Sequence, residues 1–104
     1  MKTSGYRVSP TEVEEILYET KLVGECVAFG VEHQTLGQAI QVIATPPTNE
    51  TLVVETLLAE CRKRMPAYMV PAGIEVRPGP LPRNPNGKID RKTLSTEWID
   101  RTGR

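Results

Sequence analysis

This chain holds little of the usual catalytic alphabet. Histidine occurs once, at His33, and cysteine twice, at Cys26 and Cys61. A single histidine in a polar connection has no partner with which to act as a base or a metal ligand, so His33 is assigned no role. Both cysteines pattern with apolar core residues. They read as buried free thiols of a reducing, cytoplasmic compartment rather than as a disulfide or half of a metal site. Aromatic residues make up 5% of the chain, and none is interleaved with a Lys/Arg-rich stripe, so no nucleic acid is expected as a partner. Net charge is absent too, thirteen basic residues cancelling thirteen acidic ones. No apolar run approaches the roughly 18 residues of a membrane span, and the N-terminus carries no apolar signal region. At 104 residues the chain can bury one modest core, which makes it a single domain and too small for a complete multi-substrate enzyme.

Proline and glycine, by contrast, are placed with purpose near the C-terminal end. Pro78, Pro80, Pro82 and Pro85 each fix their own φ and bias the preceding residue toward extended geometry, so residues 78 to 85 should form a semi-rigid arm. Asn86-Gly87 then forms a turn, since both residue types tolerate positive φ. The turn throws Lys88 outward while Ile89 pins the far side to apolar surface. Asp90 is placed to cap a short helix beginning at Arg91. A lysine so mounted is a mobile point charge on a fixed base, suited to a phosphate or a carboxylate. The bland alternative is a solvated surface lysine.

The rest of the chain reads as α+β. Gly5 to Val8 is a short N-terminal β-hairpin or edge strand. Ser9-Pro10-Thr11-Glu12 reads as a capping box with proline at the first helical position. Val13, Ile16 and Leu17 then share one face, leaving Glu12, Glu14, Glu15 and Glu19 as a solvated face rather than a metal cluster. Glu25 to Val31 and Ala39 to Ala44 are apolar runs of strand length, joined by a connection short enough for antiparallel pairing. Pro46-Pro47 ends the second strand, and from about Thr51 a helix buries Val54, Leu57, Leu58, Cys61 and Met65. Lys63 and Arg64 complement its last turn and Pro66 stops it. Ile74 to Arg77 alternates as a third strand. The economical architecture is two helices against a three-stranded, mainly antiparallel sheet. Residues 96 to 104 read as a frayed tail with Trp98 exposed.

Three segments in order, Gly5-Tyr6-Arg7-Val8-Ser9-Pro10 with Glu12 to Glu15, then Leu36-Gly37, then Pro85-Asn86-Gly87-Lys88-Ile89-Asp90-Arg91, together resemble the C-terminal domain of AMP-forming acyl-CoA synthetases. That acyl-adenylate-forming superfamily includes firefly luciferase and the adenylation domains of nonribosomal peptide synthetases. The resemblance covers residues 2 to 95. Each segment alone is of moderate specificity, and their joint order carries the match.

The resemblance implies a two-step ligase. A carboxylic acid attacks the α-phosphate of ATP, bound with Mg, to give an acyl-adenylate, and the thiol of CoA then displaces AMP. Lys88 matches the family's adenylation lysine, with Gly87 beside it in the nucleotide-facing loop. The small domain then rotates against the large one, and the loop at Gly5 and Tyr6 lines the thiol tunnel, where a residue without Cβ permits close approach. Arg7 and Arg91 stand as either phosphate contacts or members of local ion pairs. The implied partners are the N-terminal adenylate-forming domain of the same parent, a small carboxylic acid, and a carrier protein as an alternative thiol donor. The form of the Gly5 loop points to a fatty or similar acyl group. The family's phosphate loop, acyl pocket, adenine site and hinge all precede the segment present here. The isolated chain is therefore expected to be inactive, and Met1 ahead of a mid-protein motif points to an excised fragment. A stand-alone domain that docks on a partner or carrier protein without chemistry is the alternative.

Overall fold

The computed structural model describes residues 2–3, 6–33 and 37–102. Gly5 and Leu36 lie outside them. The chain opens with a two-stranded hairpin, β1 (Lys2–Thr3) and β2 (Tyr6–Arg7), in which Lys2 pairs with Arg7 and Thr3 with Tyr6. Helix α1 (Pro10–Glu19) follows. The Ser9 hydroxyl makes no capping bond, so the expected capping box is not formed. The fixed φ of Pro10 at the first helical position sets the helix start instead.

The central sheet has the order β3-β4-β5. Strands β3 (Cys26–His33) and β4 (Gly37–Ala44) pair antiparallel from Cys26 opposite Ala44 to His33 opposite Gly37. His33 thus ends a strand rather than sitting in the connection. The chain then passes through α2 (Val54–Arg64) and a 3-10 turn (Ala67–Met69) before β5 (Gly73–Val76) pairs parallel to β4, with Ile74 opposite Val42. A helix between two strands supplies the long crossover that parallel pairing needs. The sheet is therefore mixed, its longest pairing antiparallel.

Both faces of this sheet are buried, which explains why β3 and β4 read as nearly continuous apolar runs. On one face Cys26, Ala28, Ile40, Val42 and Ala44 pack with Val13 and Leu17 of α1, Leu57 and Cys61 of α2, and Met65 just after it. On the other, Val27, Phe29, Val31, Ala39 and Ile43 pack with Leu81 and Leu94, flanked by Ile89, Trp98 and Ile99. The second layer comes from α3 (Arg91–Thr102). The expectation of a frayed segment from residue 96 and an exposed Trp98 is thereby corrected. Trp98 packs edge-on against Phe29, with ring centroids 6.2 Å apart, and Arg101 at the far end pairs with Glu75 of β5 at 2.9 Å. Two helices were expected on the sheet, and among the described residues three α-helices are present.

The outer edge of β3 is closed by side chains of α1. The Ala28 N–H donates to Glu14 Oε2 at 2.8 Å, and the Cys26 N–H donates to the Tyr18 hydroxyl at 3.1 Å. These contacts occupy donors that an unpaired strand edge would otherwise present to another chain. Glu14 is therefore an edge-capping residue, not part of a solvated face. Cys26 is a buried free thiol. Burial, reinforced by the negative charge of Glu14, pushes that thiol from 9.0 up to about 12.

Two outcomes are expected. Leu94 is fully buried, so Leu94→Ala should lower the unfolding free energy by about 3 kcal/mol, read by denaturant titration with Trp98 fluorescence. A loss no larger than that of a surface substitution would remove α3 from the core. For Cys26, the unfolded thiol ionises first as pH rises from 9 toward 12. Stability contributed by the folded, protonated thiol falls across that window by about 1.4 kcal/mol per pH unit. Cys26→Ala should flatten the alkaline limb of a stability-against-pH curve, and an unchanged limb would contradict the assignment.

Candidate functional site

The site is built around a turn that sequence chemistry nearly dictates. Asn84-Pro85-Asn86-Gly87 places Asn first, Pro second and Gly fourth, the preference pattern of a type I turn followed by a left-handed residue. Gly87 takes φ +83°. Asn86 does not share the positive φ expected of it, so the turn rests on one left-handed residue rather than two. Asn84 is the organiser that sequence reading missed. Its backbone N–H donates to the Lys88 carbonyl at 2.7 Å and its carbonyl accepts from the Gly87 N–H at 2.9 Å. Its side-chain Oδ1 accepts from the N–H groups of Asn86 (2.9 Å) and Lys88 (3.2 Å). The signal was available, because Asn at the first position of a turn commonly bonds the backbone two residues on.

The stems of the turn are fastened to the body of the domain. Arg83 and Ile89 pair across it as an antiparallel bridge. Leu81, in the proline-spaced arm, is buried, and its N–H donates to Glu25 Oε1 at 2.8 Å. Downstream, Asp90 caps α3 as expected, accepting from the Thr93 N–H at 3.1 Å and the Thr93 hydroxyl at 2.9 Å. Arg91 then reaches back to α1, where its Nη2 donates to both Glu14 oxygens at 2.8 and 2.9 Å and its Nε to Oε2 at 3.3 Å. The ion pair open to Arg91 is therefore formed.

Lys88 lies on the rim of an open groove of about 610 Å³ between the turn, α1 and the start of β3. Gly87 and Arg91 line the same groove with Glu14, Tyr18 and Cys26. Arg7 does not line it, and it stands exposed at the end of β2. The structure thus brings Gly87, Lys88 and Arg91 together and leaves Arg7 apart, while Gly5 and the Tyr6 side chain lie outside the described residues. Among the described residues Lys88 is exposed and its ammonium makes no hydrogen bond or ion pair, whereas Arg83 and Arg91 are both held by carboxylates. Burial raises the Tyr18 phenol above its usual value. The Cys26 thiol is also held protonated, so these two groups add no charge beside the Glu14–Arg91 pair that lines the same groove. Among the described residues no group of three or more His, Cys, Asp or Glu side chains comes together that could hold a metal. Among the described residues, no helix is long and apolar enough to cross a membrane.

Residues 12–88 match the model of the AMP-binding enzyme C-terminal domain. A long-chain-fatty-acid–CoA ligase of Haemophilus influenzae is 35% identical over 92% of this chain and 17% of its own length. An oxalate–CoA ligase of Arabidopsis thaliana is 30% identical over 93% of this chain and 19% of its own. Among solved structures, an anthranilate CoA ligase in complex with anthranoyl-AMP superposes with a TM-score of 0.87 at 26% identity, covering 100% of this chain and 20% of that one. The chain spans about a fifth of the length of these relatives. A match over most of its residues, with the same fold at the same share of length, means that this chain belongs to the AMP-binding enzyme C-terminal domain family, within the adenylate-forming superfamily of AMP-forming acyl-CoA ligases.

Proposed function

We propose that this domain is the mobile lid of an ATP-dependent acid–thiol ligase and that Lys88 is its catalytic residue for adenylation. The observation that carries the reading is the contrast among cations at the groove. Arg83 and Arg91 are neutralised by carboxylates, while the Lys88 ammonium stands free on a braced turn.

Adenylation brings two anions together. A carboxylate oxygen attacks the α-phosphorus of ATP, the new P–O bond forms, and the bond to pyrophosphate breaks. A cation fixed between the attacking carboxylate and the α-phosphate offsets their repulsion and the charge rearranging on phosphorus. Lysine suits this better than arginine at such a point, since a compact ammonium on a flexible stem can follow the moving charge. The magnesium that accompanies ATP has no ligand set among the described residues. It is assigned with the adenine and acyl sites to the N-terminal domain of the parent.

In the second step the sulfur of CoA, or of a carrier-protein pantetheine, attacks the acyl carbonyl. The C–O bond to AMP breaks and the thiol proton is lost. The loop of Gly5, Tyr6 and Arg7 is proposed to face this thiol. The separation of Arg7 from the Lys88 groove supports a division of labour between two faces. The acid is not selected on this domain, a view supported by relatives named for acids as different as oxalate and long-chain fatty acids.

In the intact ligase carrying this domain, Lys88→Ala should cut acyl-adenylate formation by about a hundredfold to a thousandfold, the loss typical of removing one preorganised charge or donor. Thioester formation from pre-made acyl-adenylate should be spared. If both half-reactions fall together, the division of labour is wrong.

A further inference from the structure

The Lys88 turn is oriented by a contact from its own upstream stem. Internal hydrogen bonds through Asn84 fix the shape of the turn, but they leave its angle to the sheet undetermined. The fastenings of the stems act at Leu81 and Arg91, whereas one contact reaches the tip itself, through the Gly87 carbonyl of the peptide group leading into Lys88. The carbonyl accepts from Arg83 Nη1 at 2.7 Å. The other arm of the same guanidinium, Nη2, donates to Glu25 Oε2 at 2.7 Å.

Glu25 is itself anchored at the entrance to β3. Its N–H donates to the Thr45 hydroxyl at 2.8 Å, and its carbonyl accepts from the Thr45 N–H at 2.8 Å. Its second carboxylate oxygen, Oε1, accepts from the Leu81 N–H. An unbroken series of short bonds therefore runs from the sheet backbone through Glu25 and the Arg83 fork to the peptide that carries Lys88. A surface ion pair with one contact would contribute little. A planar guanidinium that satisfies a carboxylate with one arm and a loop carbonyl with the other sets direction as well as distance, which an ammonium cannot do.

We propose that Arg83, fixed by Glu25, is the positioning residue for Lys88. It touches neither substrate nor the reacting atoms and acts by holding the base of the lysine at the angle from which its ammonium reaches the α-phosphate. This rests on the reading of Lys88 as the adenylation lysine. Misplacement of a catalytic group by about 1 Å can cost about a hundredfold in rate, and loss of one brace from a turn with intact internal bonds should cost less.

The test is a double-mutant cycle in the intact ligase, with adenylation and thioester formation measured separately. Arg83→Ala should lower kcat for adenylation by about tenfold or more while the KM for ATP and the thioester half-reaction from pre-made acyl-adenylate stay unchanged. In a Lys88→Ala background, Arg83→Ala should produce no further loss, because nothing remains to position. Arg83→Lys should stay as impaired as Arg83→Ala, since it keeps the charge opposite Glu25 and lacks the second arm. A further loss in the Lys88→Ala background, or full activity in Arg83→Lys, would overturn the positioning role. Undiminished adenylation in Lys88→Ala itself would remove the lysine reading and the inference with it. Failure of the inference alone shows differently, as an impaired Lys88→Ala beside a fully active Arg83→Ala.

Discussion

The Glu14 carboxylate is the constraint on which the arrangement of this domain depends. It sits on α1, closes the Ala28 N–H at the outer edge of β3, and receives the Arg91 guanidinium at the start of α3. One side chain therefore ties the first helix, the sheet edge and the last helix at a single point. Hydrogen bonds to a charged group contribute about 1.5–3 kcal/mol each, and a partner left unsatisfied costs more than the bond itself contributes. Removing Glu14 would strand a strand-edge donor and a half-buried arginine together. The neighbouring Tyr18 extends the closure to Cys26, so that α1 covers the edge of β3 as well as one face of the sheet.

From that point the lysine turn follows almost geometrically. Arg91 lies three residues after Lys88 and Arg83 five before it, and each is held by a carboxylate from a different part of the domain, Glu14 on α1 and Glu25 before β3. Both stems are therefore fastened, while the tip keeps its rotamer freedom. A lysine side chain carries about 2 kcal/mol of rotamer entropy, and here none of it is lost until a ligand is met. Had a local carboxylate lain within reach of Lys88, the ammonium would have been spent as the two arginines are. A fixed base with an uncommitted charge is the state in which a group can serve a substrate that arrives with another domain.

The parts of this that sequence made legible are those with local causes. The turn at Asn86-Gly87, the Asp90 cap, the outward Lys88 and the antiparallel pairing of β3 with β4 each arise from chemistry within a few residues, although the role of Asn84 and the single left-handed residue of that turn were not read. The Glu14–Arg91 pair spans 77 positions, and helical spacing correctly places Glu14 off the Val13–Leu17 stripe without showing what it faces. The tail was misjudged for a different reason. Leu94 and Trp98 stand one helical turn apart, a signal too short to weigh against the polar residues around them, yet the apolar runs of β3 and β4 already required cover on two faces. Two helices could not supply both. The mainly antiparallel sheet expected is present in the long β3–β4 pairing, while the helix between the second and third strands is what lets β5 join parallel to β4.

The electrostatic value of Lys88 depends on what closes over it. In bulk water a unit charge 4 Å from another is worth about 1 kcal/mol, whereas at the effective dielectric of a partly buried site it is worth about 4 kcal/mol. A hundredfold to thousandfold contribution to a rate needs about 2.7–4 kcal/mol. An exposed lysine would, under the ligase reading, fall short of that by itself and would reach it only where a second body excludes water from the groove. Under the ligase reading, docking of the lid is then part of the chemistry, because the charge is carried in solvent at little cost and becomes strong only in the closed state. A lysine buried permanently would face the opposite difficulty, since desolvation would favour its neutral form. Carrying the charge on a separate, braced, exposed turn avoids that penalty, and on the same reading withdrawal of the lid would be sufficient to switch the adenylating environment off before the thiol arrives.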